Sequence, residues 1–271
     1  MEGITRFCFA ASYAVALALE LLQLLWPRNV QRILAILFGT AGLVAHTLFL
    51  AFRRPTLAAP YGSLLLLAWV LAIFYLYGTV HHRRIAWAVF VLPLVLGLVV
   101  LAGRFEPVPG SPPPGEFFTG LAGPQFWGAV HGGLLLLAAV GVSVAFVASV
   151  MYLVQARRLR AKVAPTRGLR LLSLERLEAM NRRAINWAFP LLTAGLLLGA
   201  ALTAQRDEAL TVWTAGKVLG TAGLWLLFAL LLYLRYALHL RGRHLALGSV
   251  AAFVLMLATL AAAHPAAGGL P

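Results

Sequence analysis

The chain carries little charge for its length and almost no thiol. Of its 271 residues 11% are charged, and eight Asp and Glu face 22 Lys and Arg. A soluble domain of this size needs far more charge to cover its surface. Cys8 is the only cysteine, which excludes an internal disulfide and a thiolate metal cluster. Cys-x-x-Cys-His is absent, so the chain is not itself a c-type cytochrome. No Gly-rich phosphate loop, Ser-His-Asp arrangement or pair of carboxylates stands at an informative spacing.

What the chain has in abundance is apolar sequence, with 62% of its residues hydrophobic. A helix needs roughly 20 apolar residues to cross the hydrocarbon core. Runs of that kind fall at Ile4–Trp26, Ile33–Phe52, Tyr61–Thr79, Ile85–Leu101, Trp127–Val154, Ile185–Leu202, Trp213–Leu234 and Leu245–Ala263. The expected fold is therefore all-α, a polytopic membrane bundle of about eight helices forming one integral membrane domain. Pro93 interrupts the short fourth run; neighbouring helices can satisfy the carbonyl it frees, so the span is kept. The first run resembles a signal peptide superficially, but it is long enough to span and lacks a small-residue cleavage site, so it reads as a retained helix.

The net charge of +14 does not indicate a nucleic-acid partner, because the basic residues lie in short gaps between apolar runs. There Lys and Arg report orientation. The odd-numbered connections hold 16 of them, including nine between Arg157 and Arg183, whereas the even connections and the N-terminus hold five. That bias puts the odd connections in the cytoplasm and both termini outside, in a multi-pass protein of the cell's inner (cytoplasmic) membrane. Two connections stand out. Residues 105–126 form an outer proline-rich strap. Residues 155–183 form a basic inner connection in which Leu174, Leu177 and Met180 share one helical face and Ser173 is the N-cap. An amphipathic helix there would lie on anionic lipid at the inner face.

This topology sorts the seven histidines. His81, His82, His239 and His244 fall at inner helix ends among arginines, where they help to set orientation. His46, His131 and His264 fall in the outer half or at its boundary. Ionisable groups within spans usually face the bundle interior, and imidazole is a common ligand of iron. Three helices each bringing one histidine to a similar depth can make a two-histidine axial site; hydrogen bonding between helices is the competing role. Glu20 lies near the inner end of its helix, within reach of the interface. Trp127, Trp213 and Trp225 can form a shelf for a flat ligand, although tryptophan at a membrane boundary is ordinary. A b-type electron carrier would need buried ligands near both faces, and the inner histidines do not supply them.

Several segments resemble one family. WGAVHGGLLLLAAVGVSVAFVASVMYLVQARRLR (Trp127–Arg160) is similar to the histidine-bearing helix of the cytochrome c assembly family, the CcsA/HemX-like membrane proteins. LLSLERLEAMNRRAINWAFPLLTAGLLLGA (Leu171–Ala200) is similar to the segment that follows it, with Phe-Pro-Leu-Leu-Thr as a helix start. AHTLFLAFR (Ala45–Arg53), PYGSLLLLAW (Pro60–Trp69) and WLLFALLLYLRYALHLRGRH (Trp225–His244) continue the likeness over nearly the whole chain. The resemblance implies a heme-handling protein of cytochrome c maturation. Such a protein binds heme b non-covalently near the outer leaflet and presents it to apocytochrome c or to other maturation proteins.

Carried over by position, His131 matches the first outer histidine, and His264 lies a few residues before the place of the second. These two are the implied iron ligands, with His46 an alternative and with Trp127 and Trp213 packing on the macrocycle. The family's tryptophan-rich segment, approximately Trp-x-Trp-Asp-Pro-Lys-Glu, is here VWTAGKVLG (Val212–Gly220). It keeps Trp213 and Lys217 and lacks the Asp, Pro and Glu, and Tyr233 stands where a further histidine is usual. These departures suit the smaller HemX-like branch. They leave open a second implied role, control of the level of an early heme-biosynthesis enzyme through the basic inner connection.

The orientation is testable by labelling. In a Cys8→Ser background, Ser111→Cys should react with a membrane-impermeant maleimide in intact cells, and Thr166→Cys only after the membrane is permeabilised. The opposite pattern would invert the topology.

Overall fold

Within hydrocarbon, a backbone N–H or C=O without a partner costs several kcal/mol, so a spanning segment closes its hydrogen bonds on itself. In the computed structural model each apolar run does so. The structure describes residues 5–26, 28–55, 59–81, 86–106, 124–162, 170–204, 212–240 and 242–262, apart from the side chains of 124, 125, 212–217, 261 and 262. The helices are α1 (Arg6–Leu25), α2 (Asn29–Arg53), α3 (Pro60–His81), α4 (Ala88–Ala102), α5 (Pro124–Arg160), α6 (Leu174–Ala204), α7 (Val212–Tyr236) and α8 (Arg243–Ala262). All eight are long and apolar enough to cross a membrane, and the described residues contain no strand. "Outer" and "inner" below follow the basic-residue bias.

The spans stand where the apolar runs lie, and α4 continues through Pro93. The inner connection differs from its expectation as a separate surface helix. Helix α5 has 37 residues and α6 has 31, or about 55 and 46 Å at 1.5 Å per residue, against a core of about 30 Å. Both helices run on beyond the apolar stretch because their hydrogen bonding does not depend on hydropathy. Leu174, Leu177 and Met180 thus belong to the first turns of α6. Leu177 is fully buried in the bundle and the other two are half-buried. Ser173 caps this helix as expected, its Oγ accepting from the Arg176 N–H at 3.4 Å. Phe-Pro-Leu-Leu-Thr, expected to start a helix, lies in the middle of α6.

The helices form two four-membered rings. In the first, α1 packs on α2, α2 on α3, α3 on α4 and α4 on α1; in the second, α5 packs on α6, α6 on α7, α7 on α8 and α8 on α5. Contacts of α5 with α3 and α4 join them. The sequence carries no visible repeat, yet the two halves share one ring order.

Each ring has its own means of cohesion. In the first, α2 turns Ala35, Gly39, Gly42, His46 and Phe49 inward. A Cβ at Gly39 would stand 2.7 Å from the Tyr75 ring of α3, and one at Gly42 would stand 2.8 Å from the Tyr13 ring of α1. The glycines are the sockets for those two aromatics. In the second ring, Asn181 of α6 is buried at the centre of a polar knot. Its two Nδ2 hydrogens are shared among the Ala145 carbonyl at 3.2 Å, Ser149 Oγ at 2.9 Å and Ser249 Oγ at 2.8 Å. Both hydroxyls donate back to their own helices, to Ala145 and Leu245, which leaves their oxygens free to accept. Arg235 of α7 donates to Asn181 Oδ1 at 2.9 Å. One side chain therefore ties all four helices.

Removing that hub strands the guanidinium and costs about 1–3 kcal/mol. Asn181→Leu should lower the thermal unfolding midpoint in detergent clearly more than Ser249→Ala does. Equal midpoints would show that the knot contributes nothing.

Candidate functional site at the outer end of the second ring

Helices α5 and α6 approach closely because glycine and alanine line their seam. A Cβ at Gly141 would stand 2.8 Å from Ala188 Cβ, and one at Gly195 would stand 2.7 Å from the Leu135 side chain. At the outer end of this seam the small residue makes room for an imidazole. A Cβ at Gly199 would stand 2.7 Å from His131 Cε1 and 3.1 Å from Nδ1, so the His131 ring lies directly against the α6 backbone. His131 Nδ1 is 2.8 Å from the Gly195 carbonyl oxygen.

That contact decides the tautomer. A carbonyl oxygen only accepts, so Nδ1 carries a proton, and in the neutral imidazole Nε2 is the nitrogen with the lone pair. Nε2 has no hydrogen-bond partner among the described residues, and the ring is only half-buried. A histidine held through one nitrogen by a backbone carbonyl, with the other nitrogen available, is the arrangement of a pre-oriented metal ligand. Trp127 stands one turn earlier on α5, half exposed, and residues four apart share a helix face. Its ring meets Phe126 edge-on at 5.4 Å.

The other expected site residues divide. His46 is fully buried in the first ring. It stacks on Phe9 at 4.1 Å with an interplanar angle of 1°, and its Nδ1 is 3.5 Å from Tyr13 Oη. Nε2 is buried without a partner among the described residues. No hydrogen bond or ring contact among the described residues joins His46 to His131, and the two occupy different rings. Trp213 lies in the first turn of α7. The tryptophan-rich segment is helical in its backbone, as the apolar run Trp213–Leu234 predicts. The side chain of Trp213 and the whole of His264 lie outside the described residues. No group of three or more His, Cys, Asp and Glu gathers to hold a metal ion among the described residues.

Two residues changed meaning. Trp225 is a strut rather than a shelf: its Nε1 donates to Thr193 Oγ1 at 2.8 Å, and its ring stacks on Phe189 of α6 at 5.6 Å. Glu20, expected at the interface, is buried in the first ring, and its Oε1 has no partner among the described residues. Its signal was present in the spacing, since Phe9, Tyr13, Ala16 and Glu20 form the buried stripe of α1. Of the inner histidines, His81 bonds the Tyr77 carbonyl and stacks on the Tyr77 ring, both within its own helix. Tyr233, where the resembled family usually has a histidine, faces outward and is 58% exposed.

Eight helices long and apolar enough to cross a membrane, arranged in two rings, are those of a multi-pass helical membrane protein. The family model described as cytochrome C assembly protein matches residues 57–263, well over half of the chain, and the chain belongs to that family. Membership places the protein in cytochrome c maturation. The match takes in α3 to α8 with His131 and Trp213; His46 precedes it, and His264 lies one residue beyond its end. No curated protein and no solved structure matches the chain.

Proposed function

We propose that this protein handles heme during cytochrome c maturation, holding it at the outer end of the second ring and presenting it to a partner. The observation that carries the reading is the His131 imidazole, fixed through Nδ1 on the Gly195 carbonyl with Nε2 unpartnered among the described residues. His131 is the first iron ligand. His264 is assigned the opposite position in preference to His46, whose ring is enclosed by Phe9 and Tyr13. Trp127 and Trp213 pack against the macrocycle. The heme is b-type and non-covalent while it is held; the covalent bond forms on the cysteines of apocytochrome c, the partner of this reading.

The chain's own contribution is binding rather than bond-making. The iron supplies the attraction for the ligands, while the protein determines which imidazole nitrogen is offered, how deeply the group sits and from which side it is reached. The basic end of α5, with Arg157, Arg158 and Arg160, is assigned to anionic lipid at the inner face of the inner membrane.

Purified protein in detergent should show the absorption of b-type heme, oxidised and reduced, or acquire it with added hemin. His131→Ala should lose most of that heme. Gly199→Val, which pushes the ring off its carbonyl, should weaken hemin binding by about 10-fold or more. A colourless wild-type protein that also fails to bind added hemin would reject the proposal.

A further inference from the structure

Each ring of helices is rounded, so two rings that touch along α5 leave a wedge beside the contact. On the α4 side this wedge is a recess of about 680 Å³ bounded by α4, by Phe146 and Val150 of α5 and by Leu257 of α8. Its volume falls in the range of small-molecule sites. Helix α4 forms its floor with Pro93 and Gly97, one turn apart. A Cβ at Gly97 would meet nothing within 4 Å, so this position looks into open space.

Among the described residues Arg104 is the only charged one on the wall, and every other one lining it is apolar or glycine. It stands at the outer end of α4, in the 3-10 turn Gly103–Phe105. The neighbouring arginine is already engaged: Arg6, packed against Gly103, is ion-paired with Glu106. Arg104 has no ion pair among the described residues. From Val89 to Arg104 the wall runs about 22 Å at 1.5 Å per residue, most of one hydrocarbon thickness.

We propose that this recess is a binding site for one anionic phospholipid, its acyl chain lying over Pro93 and Gly97 and its phosphate on Arg104. One cation at the interface followed by unbroken apolar wall has the polarity order of such a lipid. A heme would find no histidine, cysteine, methionine or tyrosine among the described residues of the wall to ligate its iron. A neutral quinone would leave the guanidinium without its counter-charge. The lipid fills the wedge between the rings and helps to hold them together, independently of the His131 site.

The test is native mass spectrometry of the protein equilibrated with equal amounts of phosphatidylglycerol and phosphatidylcholine of matched chains. Wild type should retain one phosphatidylglycerol at least several-fold over phosphatidylcholine. Gly97→Leu, which fills the open space, should lose the bound lipid, and Arg104→Gln should lose the preference while still binding a lipid. Equal retention of the two lipids by wild type, or an unchanged preference in Arg104→Gln, would overturn the proposal. Because Arg104 is exposed, that variant decides the matter even if Gly97→Leu fails to fold.

Discussion

Lipid tails are as apolar as leucine, so the hydrophobic effect that assembles a soluble core does not hold one membrane helix against the next. What remains is close packing and hydrogen bonding, and this structure depends on both at identifiable places. The first ring uses glycine sockets, with Tyr13 and Tyr75 seated on Gly42 and Gly39. The second uses the Asn181 knot, where one amide reaches α5, α7 and α8. At two of these close approaches a backbone carbonyl of one helix also meets a side chain of the other, Ala35 with Tyr75 and Gly195 with His131.

The candidate site is a use of that same closeness. Gly195 and Gly199 are packing residues of α6; Leu135 fills the space left at the first and the His131 ring the space left at the second. Close approach sets the distance to the Gly195 carbonyl, that hydrogen bond sets the tautomer, and the tautomer sets which nitrogen is offered outward. An alanine seam without the second glycine would hold the helices together and turn the imidazole away. Packing and ligand orientation therefore cannot be varied independently at these positions.

Much of the fold was legible because lipid imposes one requirement on every span: the apolar runs became helices, and Ser173 capped α6 as its residue type suggests. The ends of α5 and α6 were not legible, since hydropathy reports where the hydrocarbon stops and not where hydrogen bonding does. Position along their own helices was readable for His46 and His131, but lateral position was not. Equal depth suggested one site, whereas the ring order separates the two residues. The Gly195 carbonyl was out of reach for the same reason, because a backbone acceptor has no signature in residue type. Glu20 shows the converse, a charge whose place on a buried stripe could be read from spacing but was outweighed by its nearness to a helix end.

The central claim is that His131 Nε2, oriented from behind by the α6 backbone, is the atom that holds heme iron. Replacing the ring by a cavity that accepts free imidazole isolates that atom from the rest of the site. His131→Gly protein should lose its low-spin heme spectrum and regain it when imidazole is added to the solution. Retention of the wild-type spectrum by His131→Gly without imidazole would contradict the account.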